Sequence, residues 1–128
     1  MSESNELEEW IEHAEDDFEN AKSGIRRRKL SVYGACFHAQ QCAEKYMKAM
    51  LVFKGKSFPM THDLLIINNL LTSAGILTGL PEDDLDTLSK FAVATRYPGS
   101  KPTLEDAKEA IEIAKTIPKF TRAFLGLE

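Results

Sequence analysis

The stretch ACFHAQQCAEKYMKAML, Ala35 to Leu51, decides the fold. Neither Gly nor Pro interrupts it, and projected at about 100° per residue it divides into two sides. Ala35, Cys36, Ala39, Ala43, Tyr46, Met47, Met50 and, just beyond, Phe53 gather on one broad face. Small residues near its middle let a neighbouring helix approach closely. His38, Gln41, Glu44, Lys45 and Lys48 share the other side. Glu44 and Lys48 stand at i,i+4 in the favourable order, and on a solvated face such a pair contributes only about 0.3–0.5 kcal/mol. Phe37 and Leu51 also fall on the polar side. An isolated bundle has no use for them there, whereas a dimer interface does. With Ser31 as N-cap and Gly55 as the stop, the spacing predicts a helix over 32–54.

Before it, Leu7, Ile11, Ala14, Phe18, Ala21 and Ile25 repeat at alternating spacings of four and three, an apolar helical stripe. Acidic residues crowd the first twenty positions and no Lys or Arg is among them; Arg26, Arg27, Arg28 and Lys29 then arrive together. This polarity matches the helix dipole, and a helix over 4–28 is expected to end on that basic run. A phosphate site there is disfavoured, because a helix C-terminus offers carbonyls rather than amide donors. After Ala35–Leu51, KGKSFPM is a connector. Thr61 is the expected cap of a third helix closed by Gly75, and Pro81 with Glu82, Asp83 and Asp84 opens a fourth. RYPGSKP ends that helix. Thr103 with Asp106 forms a capping box for the last, which Pro118 is expected to kink or split. No segment alternates with period two. The fold class is therefore all-α, an antiparallel up-and-down bundle of four or five helices forming a single domain over 1–128.

Composition narrows the function. A net charge of -4 argues against a generic nucleic-acid coat. Cys36 and Cys42 point in different directions on one helix, which fits free buried thiols in a reducing cytoplasm. The acidic N-terminus is unlike a signal peptide, and no apolar run approaches the roughly 20 residues that span a bilayer. The three histidines and two cysteines lack metal-ligand spacing, and no Gly-rich phosphate loop is present, so neither metal nor cofactor is expected.

Tyr33 to Leu51, containing HAQQ from His38 and EK from Glu44, followed by THDL from Thr61 and RYP from Arg96, resembles the HEPN family in order and spacing. The resemblance covers nearly the whole chain, the first and last helices in pattern only. It implies a helical bundle that dimerises, a minimal nucleotidyltransferase as neighbour or fusion partner, and toxin–antitoxin pairing. Many HEPN toxins are metal-independent ribonucleases that use Arg, four to six residues, then His. Here YPGSKPT follows Arg96 and holds no histidine. Arginine stabilises phosphate charge but cannot serve as a base near neutral pH. His38 and His62 are the available substitutes, with Arg96, for a catalytic role. The leading expectation is a homodimeric binding module that takes nucleotide or RNA or serves as the partner subunit of a nucleotidyltransferase. In it Lys45, Lys48 and Arg96 meet phosphate, Gln41 reads a base edge, Tyr97 stacks, and His38, Glu44, His62 and Asp63 complete the site. The alternatives are a structural dimer or adaptor without a small-molecule site, and a ribonuclease with a degenerate motif.

Overall fold

The computed structural model describes residues 2–92 and 101–126. Within them the chain forms α1 (Ser2–Arg26), α2 (Val32–Phe53), α3 (Leu64–Ser73), α4 (Glu82–Ser89) continued by a 3-10 turn (Lys90–Ala92), and α5 (Leu104–Leu125). No strand occurs among the described residues, and no helix there is long and apolar enough to cross a membrane.

The architecture is the all-α bundle read from the periodicity. Gly24 lies beside Ala35 and Asp17 beside His38, so α1 and α2 run antiparallel. Phe53 at the end of α2 meets Phe124 near the end of α5, with ring centroids 5.6 Å apart, while Lys101 and Val32 share a cleft at the other end. Helices α2 and α5 are therefore parallel, and α3 with α4 supplies the returning leg. Every other helix packs against α2.

That central place corrects the two-sided projection of α2. From Cys42 to Leu51 only Lys45 keeps partial exposure. Leu51 is 0% exposed, so it belongs to the core of this chain rather than to a dimer surface. Phe37 is half-buried with its ring edge toward His38, and Phe53, expected in the core, is exposed. A helix surrounded by neighbours has no solvent face over that stretch, and its polar residues must find partners inside the protein.

Local signals worked best at helix ends. Thr103 and Asp106 form the reciprocal capping box at 3.0 and 2.9 Å. Asp63, not Thr61, caps α3: its carboxylate accepts from the Leu65 amide, and the Thr61 hydroxyl accepts from the Asp63 amide. Gly55 and Gly75 take positive φ after α2 and α3, as the stop signals require. The last helix does not split. It runs unbroken through Pro118 to Leu125, and the ring removes one amide donor without ending the element.

Helices α1 and α2 approach closely at buried Gly24, whose carbonyl accepts from the Ser31 amide at 2.8 Å. A Cβ there would lie 2.9 Å from the Ser31 carbonyl oxygen and 3.1 Å from the Ala35 Cβ. Alanine within a helix is normally favourable by about 0.5–1 kcal/mol. Here the obstacle is backbone, and overpacking costs about 1–3 kcal/mol. Gly24→Ala is expected to lower stability by about 1–2 kcal/mol. A melting temperature at or above the wild-type value would show that the crossing can relax.

Candidate functional site

Two buried carboxylates organise the polar residues of α2. The first is Glu44, whose side chain is 6% exposed. Its Oε1 accepts from Gln40 Nε2 at 2.9 Å and from His62 Nδ1 at 2.8 Å, and its Oε2 accepts from Lys48 Nζ at 2.8 Å. Gln40 is fully buried, and its Oε1 accepts from Gln41 Nε2 at 2.7 Å. The Lys48 ammonium also lies 5.0 Å from the centre of the Phe58 ring. The second is Asp17 on α1, 9% exposed, which accepts from His38 Nδ1 at 2.7 Å and from Lys45 Nζ at 2.6 Å.

The chemistry of each group follows from these contacts. A carboxylate only accepts, so both histidines carry a proton on Nδ1. Nε2 of each ring makes no hydrogen bond among the described residues, and the side chains are 33% (His38) and 58% (His62) exposed. Each imidazole is therefore held by a buried carboxylate with its second nitrogen available. For Glu44, burial pushes the carboxyl pKa up. The hydrogen bonds from Lys48, Gln40 and His62, together with the Lys48 charge, outweigh that and hold it below its ordinary value. Burial, with a smaller push from Asp106, raises the Cys36 thiol to about 12. Burial also raises Cys42. Both cysteines are free, and neither is a nucleophile near neutral pH.

The fold thus gathers the expected residues into two groups, His38 and Lys45 around Asp17, and Gln41, Lys48 and His62 around Glu44 and Gln40. It gives Asp63 a different task, the cap of α3. It also ties up both lysines expected to meet phosphate, Lys45 with Asp17 and Lys48 with Glu44. Arg96 and Tyr97 lie outside the described residues. Asp17 and Gln40 escaped the sequence reading, although each left a trace. Asp17 sits at the buried register of α1, three residues after Ala14 and four before Ala21. Gln40 occupies the packed register Cys36–Gln40–Ala43–Met47. A polar residue at a core position calls for a partner on another element. Among the described residues, no three His, Cys, Asp or Glu side chains cluster as a metal ion would need.

Comparison with known proteins adds three findings. The family model of the HEPN domain matches residues 7–123. A protein of Methanocaldococcus jannaschii named "Putative toxin MJ1304" is 26% identical over 132 residues, covering 91% of this chain and 86% of its own. The crystal structure of TT1696 from Thermus thermophilus superposes with a TM-score of 0.73 at 27% identity, covering 93% of this chain and 98% of that one.

Proposed function

This chain belongs to the HEPN domain family, and from that premise we propose that it is the toxin-like member of a toxin–antitoxin pair, a homodimeric module that binds nucleotide or RNA. A minimal nucleotidyltransferase is the partner that the family resemblance suggests. The name carried by the M. jannaschii relative supports the toxin-like part of this reading. The observation that carries the binding part is a pair of carboxylate-held imidazoles, His38 of α2 on Asp17 and His62, just before α3, on Glu44. Asp17 and Glu44 fix the ring orientations, so the unbonded Nε2 atoms meet a ligand without reordering.

Thermal denaturation in the presence of ATP, GTP and short RNAs tests the reading. A ligand at 100 times its Kd adds about 2.7 kcal/mol, which for a chain of this size raises the melting temperature by roughly 10 °C. A flat melting temperature with every ligand at millimolar concentration overturns nucleotide binding. Sedimentation as a monomer at micromolar concentration overturns the dimer.

The His38–Asp17 pair favours one second reading, metal-independent RNA cleavage with His38 in place of the missing motif histidine. An imidazole with a carboxylate on Nδ1 and a free Nε2 is fitted to move the proton of a ribose 2′-hydroxyl. In that case expression without a partner arrests growth and His38→Ala relieves the arrest. Harmless expression of the wild type rules it out.

A further inference from the structure

Lys45 and Lys48 are already neutralised within the fold, so phosphate must find its cations elsewhere. They are collected at the end of the bundle where α1 turns into α2. An open cleft of about 740 Å³ there is lined by Arg27, Lys29, Ser31, Tyr33 and Lys101, among others. Its volume lies within the range of small-molecule sites, about 300–1,000 Å³. We infer that this cleft, resting on the nucleotide- or RNA-binding reading above, takes the phosphate groups of that ligand, with Tyr33 stacking on the attached base.

Several observations converge on it. Arg27, Lys29 and Lys101 are exposed and make no ion pair with any described residue. The cluster is made by the fold and not merely by the run Arg26–Lys29, because Lys101 reaches it from the segment leading into α5. The sequence objection to phosphate here was that a helix C-terminus presents carbonyls. In the structure α1 stops at Arg26, and Arg27 and Lys29 lie beyond it, beside the start of α2. That start is electropositive. Its first bond runs from the Ala35 amide to the Ser31 carbonyl at 2.9 Å, and the Ser31 side chain caps no amide. Val32 and Tyr33, which line the cleft, belong to this first turn, whose amides have no intrahelical acceptor, so donors are added to a cleft whose side chains already select an anion. Tyr33 is 38% exposed and lines the cleft together with the cations, where an aromatic ring can stack on a base. The chain as a whole carries a net charge of -4, so nucleotidic phosphate is drawn to this cationic end.

The chemistry is shared by a free nucleotide and by a single-stranded RNA, and titration separates them. Labelled decauridylate, ATP and inorganic phosphate are added to the wild type, to R27Q/K29Q, to K101Q, and to Tyr33→Ala and Tyr33→Phe, over a range of salt concentrations. Each cation engaged with a single strand contributes about −0.7 to the slope of log K against log salt. Three cations give a wild-type slope of about −2, falling to about −0.7 in R27Q/K29Q. Both charge variants should bind at least tenfold more weakly while keeping the wild-type melting temperature without ligand. Tyr33→Ala should weaken RNA and ATP but not phosphate, and Tyr33→Phe should match the wild type. Decauridylate tighter than ATP assigns an RNA strand, and the reverse assigns a free nucleotide. Unchanged affinity and slope in R27Q/K29Q and K101Q, with the wild type binding, overturn this cleft and leave nucleotide binding standing. A wild type that binds none of the three overturns both.

Discussion

Glu44→Ala is expected to destabilise the protein by about 3–5 kcal/mol, the range for removing one partner of a buried ion pair. Lys48 is 8% exposed, and without Glu44 its ammonium keeps, among the described residues, the Phe58 ring as its one remaining partner. Gln40 and His62 lose their shared acceptor in the same step. At this chain length the loss lowers the melting temperature by roughly 10–20 °C. The double variant Glu44→Leu, Lys48→Met should lose less than Glu44→Ala alone, because no charge is left buried without a partner. The same group sets a pH dependence. Its folded pKa lies below the ordinary value of 4.5, so its contribution is fully present above pH 4.5 and is lost as pH falls through the folded value. Wild-type stability should therefore drop below about pH 4.5 with a component that Glu44→Gln lacks. Chemical denaturation between pH 3 and 7 measures it. A cost under 1 kcal/mol for Glu44→Ala, or parallel acid profiles, would mean that the carboxylate is solvated.

Leu51→Ala is the second large effect, a loss of about 2–5 kcal/mol from lost transfer energy and the cavity left behind. The residue is fully buried in the last turn of α2. Its helical position alone placed it on a dimer surface, and the two placements differ in what they predict. A core leucine costs stability and leaves the oligomeric state unchanged. An interface leucine changes sedimentation and leaves the protomer's stability nearly intact. Denaturation and sedimentation on one sample decide between them.

The helices were legible because their determinants are local. The stripe from Leu7 to Ile25, the Thr103–Asp106 box and the glycines after α2 and α3 act within a few residues of the elements they define. The site was only half legible. His38, Gln41, Glu44, Lys45 and Lys48 could be placed on one helix, but whether that side met water depended on how many helices surround it. A projection of one helix cannot count them. Asp17 is 21 residues from His38 and 28 from Lys45, so no spacing rule within a helix links them. The lysines therefore read as free cations, whereas the fold neutralises both. The same nonlocality hid the cleft at the α1–α2 turn, since Lys101 joins Arg27 and Lys29 only through the packing of α5.

The position of α2 at the centre of the bundle has one more consequence. Asp17 and Glu44 anchor the two imidazoles while they are themselves buried in the bundle. A substitution that retunes either imidazole must therefore pass through residues on which the whole bundle depends. Selection for new ligand chemistry on this helix is constrained by foldability. The exposed cations of the α1–α2 turn carry no such burden, so specificity can drift there while the interior of α2 stays fixed.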